Sequence, residues 1–319
     1  MSDNVSYTPA EVAKILKLSR FTVYDLIKRG ELVAYRAGER KMRIEAADLE
    51  HYKNKTKQAG TTLPPVPAAV PVAVPPVAKT VFGDQDGLII CGQDVLLDVL
   101  ARHLEKQMPH VRFLRYYAGS IDGLTALYRG TANVVTAHLW DGDTDEYNVP
   151  YVRRLLPGQR TVIINLAYRM EGFYVAAGNP KNITTWTDLT KPDVRMVNRE
   201  RGSGARVLLD EKLRQLDIDP EFIQGYDHEE MSHLAVASYV ARGAADVGLG
   251  VEKAAMQVRN LDFVPLQKER YDLVLLRRDL AKPHFQALLA ALASPAFREE
   301  VAGMSGYDIS RMGEQIAEI

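Results

Sequence analysis

Residues 118–141 read AGSIDGLTALYRGTANVVTAHLWD, and this stretch decides the fold of the longer part of the chain. A Gly-Ser turn precedes the helical pattern SIDGLTALYRGT, which leads into the apolar run ANVVTAHLW. Three further segments lie upstream. GLIICG (87–92) and VRFLRYYAG (111–119) have the pattern of β-strands, and QDVLLDVLARHLEKQ (93–107), between them, has the pattern of an amphipathic helix. This strand–helix–strand–helix–strand order predicts a parallel sheet with right-handed crossovers.

A second cycle of strands and helices follows downstream. A β-strand is predicted for residues 160–180, RTVIINLAYRMEGFYVAAGNP. A strand, a turn and a helix are predicted in succession for residues 194–218, VRMVNRERGSGARVLLDEKLRQLDI. LDFVPLQKERYDLVLLRR (261–278) is strand-like, and helices around HFQALLAALASPAFREEVAGM (284–304) follow it. Two successive α/β lobes, with the chain returning to the first, predict a hinged two-lobe module with a small-molecule site between the lobes.

The amino-acid composition limits the classes of protein to which this chain can belong. The chain has 319 residues, 46% hydrophobic and 25% charged, which predicts a soluble globular protein of two or three domains. It contains neither the ~18 consecutive apolar residues of a membrane span nor a secretory signal pattern at its start. The single cysteine, Cys91, excludes an internal disulfide and fits a reducing compartment. We therefore expect a cytoplasmic protein.

A proline-rich segment separates two modules. Residues 61–78, TTLPPVPAAVPVAVPPVA, hold six prolines and no charge, which predicts an extended, semi-rigid linker. We predict a first domain over 1–58, a linker over 59–80, and a two-lobe domain over 81–319. Within the last, lobe 1 takes 81–168 and 268–319, and lobe 2 takes 169–267.

The first module has the pattern of a helix-turn-helix. Thr8-Pro9-Ala10-Glu11 predicts a capping box at the start of a helix, and RFTVYDLIKRG (20–30) predicts a second helix after a short turn. Residues 1–58 carry 12 Lys and Arg against 8 Asp and Glu, a net charge of +4, whereas the remainder carries −5. ELVAYRAGERKMRIEAADLEHY (31–52) then reads as a cationic hairpin followed by a helix.

Residues 6–53 resemble the winged helix-turn-helix of the excisionase and MerR-type families. The resemblance and the outward cations imply that the module binds double-stranded operator DNA. The alternative is a charged module that binds another protein. One such module buries too little surface for tight specific binding, so we expect a homodimer or higher homo-oligomer on a pseudo-palindrome. The predicted DNA-binding residues are Arg20, Phe21, Thr22, Tyr24, Lys28, Arg36, Arg40, Lys41 and Arg43.

Residues 86–310 resemble the type II periplasmic-binding-protein fold, in particular the cytoplasmic PBP-like domain related to molybdate-binding proteins. AGSIDGLTALYRGTANVVTAHLWD, GNPKNITTWTDL, VNRERGSGAR, GYDHEEMSHLAVASYVARGAADVGLG and ERYDLVLLRRD carry the resemblance. The fold class is thus multidomain: a small α+β winged helix-turn-helix plus a two-lobe α/β domain. The resemblance implies molybdate or tungstate as the bound oxyanion, with no other cofactor.

The ligand site should lie beyond the carboxyl ends of the strands, where helix N-termini point. Gly-Ser turns at 119–120 and 202–204 would face each other as anion cradles, with Arg199, Arg201 or Arg206 adding charge. The alternative for the second turn is a solvated helix cap. The predicted ligand-binding residues are Gly92, Gln93, Asp94, Gly119, Ser120, His138, Asp141, Arg199, Ser203, Gly204, Ala205, Arg206 and Tyr226.

Acidic residues near this site favour a different ligand. Asp94, His138 and Asp141 should lie in the same crevice, where carboxylates repel a bare oxyanion. If they reach the ligand, an organic anion that also carries donors, such as an amino-acid-like metabolite, fits better. If they cap helices and loops, the oxyanion remains the first choice.

The sequence predicts no metal site and no catalytic constellation. His228 and His233 are five residues apart and diverge on a helix, and Cys91 is either a redox or soft-metal ligand or a small buried hydrophobe. We therefore predict a one-component transcriptional regulator with an anionic effector. The alternatives are an enzyme using Asp94, His138 or Glu230 as acid or base, and an architectural DNA-binding protein.

Overall fold

The computed structural model describes residues 6–16, 18, 20–37, 41–59 and 87–319. Contacts divide the chain into two compact units, Met1–Pro76 and Val77–Ile319. Residues 60–86, which include the predicted proline-rich linker, lie outside the described residues. No helix in the described ranges is long and apolar enough to cross a membrane.

The first unit is a small α+β module. Its helix α1 begins with the predicted capping box: the Thr8 amide donates to Glu11 Oε2 at 2.8 Å, and the Glu11 amide donates to Thr8 Oγ1 at 3.3 Å. These bonds satisfy amides that a helix start leaves free. The elements are β1 (Ser6–Tyr7), α1 (Pro9–Leu16), α2 (Arg20–Lys28), β2 (Tyr35–Ala37), β3 (Lys41–Glu45) and α3 (Ala46–Ala59).

Two apolar side chains of α2, Val23 and Leu26, are buried. Val23 and Leu26 pack with Val12, Ile44 and Leu49 in one small core. The wing is a three-stranded antiparallel sheet in the order β1-β3-β2. The sequence predicted the β2–β3 hairpin but not β1, because a strand of two residues shows no alternation.

The second unit is a two-lobe α/β domain. Three 3₁₀ helices, Trp186–Thr190, Pro220–Phe222 and Arg277–Asp279, lie among its regular elements. The helices are α4 (Leu96–Gln107), α5 (Ser120–Arg129), α6 (Val149–Leu155), α7 (Gly204–Gln215), α8 (His233–Ala241), α9 (Glu252–Ala255), α10 (Pro283–Ala293) and α11 (Pro295–Ala302). The strands are β4 (Gly87–Cys91), β5 (Arg112–Tyr116), β6 (Val134–Ala137), β7 (Trp140–Asp141), β8 (Glu146–Tyr147), β9 (Thr161–Ala176), β10 (Met196–Arg199), β11 (Glu229–Glu230), β12 (Val247–Val251), β13 (Leu261–Leu276) and β14 (Gln315–Glu318).

One mixed sheet runs through both lobes in the order β11-β10-β12-β9-β13-β6-β4-β5, with β14 beside β9. The predicted parallel pairing is present: β4 pairs in parallel with both β5 and β6, and β10 pairs in parallel with β12. In lobe 1, α4, α10 and α11 cover one apolar core, and α5 and α6 cover another. In lobe 2, α7 packs on one core and α8 and α9 on a second.

β9 and β13, each of 16 residues, form an antiparallel pair that crosses from one lobe to the other. Arg169 lies opposite Glu269 in the crossing. The register shifts on both sides of this pair: Leu266 is an extra residue on β13, and Leu166 is an extra residue on β9. Such bulges bend and twist a strand, and they lie where the pair crosses between the lobes.

Candidate ligand-binding cleft

A cavity of about 200 Å³ lies between the lobes. It is smaller than the ~300–1,000 Å³ of pockets for drug-sized molecules, so it suits a small ligand. Lobe 1 and the returning chain contribute Gly92, Gln93, Asp94, Val95, Ala118, Gly119, Ser120, Thr136, His138, Tyr271 and Tyr307. The crossing strand and lobe 2 contribute Arg169, Arg199, Ser203, Ser232, His233, Leu234, Val251, Lys253, Ala254 and Gln257.

The N-termini of four helices reach this cavity, since residues that begin α4, α5, α7 and α8 line it. Free amides and the helix dipole make each N-terminus attractive to an anion. Asp94 already caps α4, where its Oδ1 accepts from the Leu96 amide at 2.8 Å. α8 differs, because its cap is the neutral hydroxyl of Ser232 and its first turn holds no acidic residue. The start of α8 is therefore open to a negative ligand.

The two lobes are hydrogen-bonded to each other beside the cavity. The Ile121 amide at the start of α5 donates to the Gly202 carbonyl at 3.0 Å. Gln93 joins the same two lobes: its Nε2 donates to Glu200 Oε1 at 3.1 Å, and its Oε1 accepts from Arg199 Nη2 at 2.8 Å. Arg199 and Glu200 also pair directly at 2.7 Å. The cleft is thus in a closed arrangement.

Arg169 lies at the floor of the cleft, where β9 crosses between the lobes. Its Nη1 donates to Asp94 Oδ2 at 2.6 Å, and its Nε donates to Glu269 Oε1 at 2.5 Å. The guanidinium stacks 3.8 Å above the Tyr271 ring centroid. Asp94 also accepts from the Tyr307 hydroxyl at 2.6 Å. Two carboxylates therefore hold Arg169 in a fixed position.

Two histidines and one further carboxyl group, that of Glu171, lie near this arginine and Glu269. His138 Nδ1 lies 2.6 Å from Glu269 Oε2. Burial acts to raise the pKa of Glu269, but the charges of Arg169 and His138 outweigh it and lower that pKa. Burial, and then the negative charge of Glu269, raise the pKa of Glu171 well above its usual value. Burial, and then the charges of Arg199 and Arg169, lower the pKa of His233, so its ring is neutral.

Lys253 adds a third cation to the cleft. It belongs to α9, and its Nζ lies 5.6 Å from the Tyr307 ring centroid. Within the described part of the chain, no carboxylate lies within ion-pair distance of it. Its charge is therefore less neutralised by protein carboxylates than those of Arg169 and Arg199.

The structure brings together eight of the predicted ligand-binding residues. Five others lie outside the cavity lining. Asp141 caps a turn, where its Oδ2 accepts from the Thr144 hydroxyl at 2.6 Å and from the Thr144 amide. Ala205 belongs to the lobe 2 core, and Gly204 packs against the His138 ring. The eight lining residues are Gly92, Gln93, Asp94, Gly119, Ser120, His138, Arg199 and Ser203.

Arg206 and Tyr226, the remaining two, form a separate cluster. The Arg206 guanidinium stacks 4.2 Å from the Tyr226 ring centroid and pairs with Asp210 at 2.9 Å and Glu229 at 3.1 Å. The Tyr226 hydroxyl donates to Asp210 at 2.6 Å. Arg201 is exposed. Of the three arginines around the Gly-Ser-Gly turn, only Arg199 lines the cavity.

The turn at 202–204 closes the lobes instead of cradling a ligand with its hydroxyl. The Ser203 hydroxyl donates to the Glu200 carbonyl and accepts from the Arg206 amide, so it is used within the turn. Gly202 has φ +89, the left-handed conformation that glycine adopts without strain. Its carbonyl is the acceptor for Ile121 described above. Ser203 is thus a helix cap, as the alternative predicted, but it is buried and not solvated.

Sequence reasoning missed the floor of the cleft and the start of α8. Arg169 and Glu269 lie in long strand-like runs, where the local pattern predicts only alternation. Their facing positions follow from the β9–β13 register, which needs the tertiary fold. Ser232-His233 has a sequence signal, a serine directly before a helical run, but that signal predicts a helix N-cap and not a ligand site. Cys91 is buried in the lobe 1 core, in agreement with the buried-hydrophobe alternative.

The predicted DNA-binding surface is described only in part. Tyr24 and Lys28 are exposed on α2, and Thr22 is half-buried. Arg43 is half-buried, and its Nη1 donates to the Ser6 carbonyl on the neighbouring strand at 3.5 Å. Arg40 lies outside the described residues, and so do the side chains of Arg20, Phe21, Arg36 and Lys41.

Fold and cleft together define a two-lobe ligand-binding domain joined to a helix-turn-helix. Residues 6–57 match the model of a helix-turn-helix domain, and residues 101–293 match that of the PBP superfamily domain. The second match covers more than half of the sequence. The chain belongs to the PBP superfamily.

One relative and two solved structures illustrate the similarity. The chain is 40% identical over 318 residues, and 100% of both sequences, to the Bacillus subtilis (strain 168) protein named Uncharacterized protein YvgK. A substrate-binding protein from Clostridium perfringens, solved with bound phosphate, superposes with a TM-score of 0.54 at 15% identity, covering 70% of this chain and 100% of that one. The structure of EhuB in complex with hydroxyectoine superposes with a TM-score of 0.52 at 11% identity, covering 73% of this chain and 93% of that one. These two structures support the fold alone.

Proposed function

We propose that this protein is a one-component transcriptional regulator that acts in the cytoplasm. The helix-turn-helix domain would bind operator DNA, and the cleft would bind a small anionic effector. The observation that carries the proposal is the convergence of helix N-termini, Lys253 and Arg199 on a cavity between two lobes, in a chain that also has a helix-turn-helix domain. A homodimer or higher homo-oligomer on a pseudo-palindromic operator is part of the proposal.

The effector that fits best is a small oxyanion, with molybdate or tungstate as first choice. The cavity volume and the uncharged, positively polarised start of α8 support it. Asp94 does not argue strongly against an oxyanion, because Arg169 and Tyr307 already engage its carboxylate. An amino-acid-like effector is the alternative, and Val95 and Leu234 in the lining would contact its apolar part.

The proposed mechanism is a population shift. An effector that binds both lobes stabilises the closed cleft, and closure would change how two DNA-binding domains are presented within an oligomer. We propose binding, not catalysis, as the role of the cleft. Its polar groups support this, because Asp94, Glu269 and Arg199 each have protein partners that hold them in place.

The test combines two measurements on the full chain. Electrophoretic mobility shift with the protein's own promoter DNA is measured with and without molybdate, tungstate, phosphate and a panel of amino acids. Thermal shift is measured with the same compounds, since a ligand at 100 times its Kd adds about 2.7 kcal/mol of stability. Salt-dependent DNA binding that one of these anions alters supports the regulator.

A pair of variants locates the effector site. Lys253→Gln removes the least neutralised cation of the cavity, so it should weaken effector binding while leaving DNA binding without effector unchanged. Lys106→Gln removes an exposed cation from the last turn of α4 and serves as the matched control. Equal effector affinity in both variants would place the site elsewhere. Turnover of a candidate ligand without DNA binding would favour an enzyme.

A further inference from the structure

His138, Glu171 and Glu269 form a compact group at the cleft floor. They come from three different strand regions: the end of β6, β9 and β13. One ligand atom from each lies within 4.8 Å of the others. Glu171 and Glu269 are 0% exposed, and the His138 side chain is 11% exposed. Imidazole nitrogen and carboxylate oxygen are the donors that zinc-type divalent metals accept.

Glu171 is the member of the group that protein contacts do not explain. Among the described residues, neither of its carboxyl oxygens has a hydrogen-bond donor. Its close neighbour is the carboxyl group of Glu269, to which Glu171 can donate only when Glu171 is itself protonated. Burying a polar group without a partner is costly, and native proteins usually satisfy such a group with a proton, a water molecule or an ion.

The carboxyl groups around Arg169 carry more negative charge than the nearby cations balance. Three carboxyl groups, those of Asp94, Glu171 and Glu269, lie near the Arg169 guanidinium, and the second guanidinium nearby, that of Arg199, is already paired with Glu200. If all three are ionised, the buried group has two negative charges too many. Two protons, one on Glu171 and one on His138, would restore neutrality, and so would one divalent cation.

We propose that His138, Glu171 and Glu269 bind one divalent transition-metal ion of the zinc type. Three protein ligands leave a fourth position open, as in other zinc sites that keep an exchangeable ligand. His138 lines the cavity, so the ion would lie next to the effector and add positive charge there. Calcium and magnesium fit less well, because they require six or more oxygen ligands or several bound waters.

Metal binding in this site displaces protons. Glu171 must lose its proton to become a ligand, and His138 must present a neutral ring nitrogen to the ion. The balance is one divalent cation bound and the corresponding protons released to solvent, with no change in oxidation state. The His138–Glu269 contact, at 2.6 Å, would open to admit the ion between the two groups.

The test is equilibrium dialysis of the full chain against Zn²⁺ alone, with the metal content of the protein measured. We expect one tightly bound Zn²⁺ per chain. Glu171→Gln should weaken that binding at least about tenfold, since even partners outside the ligand shell change metal affinity by about 10–100-fold. The glutamine is isosteric and can donate to Glu269, so circular dichroism should show an intact fold.

The control is Glu300→Gln, which removes the carboxylate of an exposed His–Glu pair, His103–Glu300 at 2.8 Å. It should bind Zn²⁺ as the original chain does. If Glu171→Gln does not fold, Co²⁺ added to the unaltered chain should give a visible absorption spectrum that equimolar Zn²⁺ removes. No metal binding by the unaltered chain, or equal binding by Glu171→Gln, overturns the proposal. Neither outcome bears on DNA or effector binding.

Discussion

The backbone amide of Ile121 donates to the carbonyl of Gly202 across the cleft at 3.0 Å. This bond joins the Gly-Ser turn of lobe 1 to that of lobe 2 without any side chain between them. A Cβ built on Gly119 would lie 3.1 Å from the Gly202 oxygen. The closed arrangement thus depends on backbones that approach each other closely, and added side-chain atoms there should oppose closure.

Gly204→Ala should weaken effector binding. The added methyl group would lie 2.4 Å from the His138 ring, and Glu269 holds that ring in place. Overpacking costs about 1–3 kcal/mol. If the cost falls on the closed form, effector affinity decreases by about 5–150-fold. Isothermal titration measures the change, and DNA binding without effector should remain as before.

Gly303→Ala is the matched control for this prediction. Its Cβ would meet the nearest backbone oxygen at 3.4 Å, an ordinary contact at the end of α11. If Gly204→Ala and Gly303→Ala both bind the effector with the original affinity, Gly204 and His138 must move apart when the effector binds.

Arg206→Ala should reduce stability instead of removing effector contacts. Arg206 is 1% exposed, and Asp210 and Glu229 would lose their common partner. We expect a loss of about 1–3 kcal/mol in the free energy of unfolding, less than for a fully buried pair because both carboxylates reach solvent. Urea denaturation measures it. An effector affinity that falls with no change in stability would return Arg206 to the ligand site.

Cys91 should resist alkylation in the folded protein. Burial raises the pKa of its thiol to about 12, from an ordinary value of about 9. Below pH 9 the thiol is protonated in both states, and above it the unfolded thiol ionises first. Stability linked to Cys91 should therefore fall as pH rises from 9 towards 12. Because Cys91 is the sole cysteine, iodoacetamide labelling followed by mass spectrometry reports on it directly.

Rapid labelling of Cys91 at pH 8 without denaturant would contradict this prediction. Labelling in urea should follow the unfolding curve, which gives the positive control.

Lys28→Gln should weaken DNA binding at every sequence tested. Lys28 is exposed in the last turn of α2, where a cation can meet a backbone phosphate. Loss of one phosphate contact should reduce the slope of log affinity against log salt by about 1. Mobility shift across several salt concentrations measures the slope. The Lys106→Gln variant should keep the original slope, and an unchanged slope for Lys28→Gln would exclude this contact.

The sequence predicts the secondary-structure elements of this protein better than it predicts the residues of the candidate ligand-binding cleft. Capping, turn and periodicity signals are local, so they located the helix-turn-helix, the parallel strands and the Gly-Ser turns. Arg169 and Glu269 are 100 residues apart, and only the β9–β13 register places them opposite each other. The roles of Arg199 and Arg206 could not be separated either. The side-chain directions that send Arg199 to the cavity and Arg206 to Tyr226 depend on how α7 packs against β10.

The long pair of β9 and β13 has a consequence for how this protein unfolds and evolves. Because each strand supplies hydrogen-bonding partners to both lobes, neither lobe is a self-sufficient folding unit. We expect residues 87–319 to melt in a single cooperative step and amide exchange near the crossing to be the slowest. Recombination that swaps one lobe between relatives would have to replace half of two strands at once. The ligand-binding domain should therefore have diversified by point substitution at the cleft.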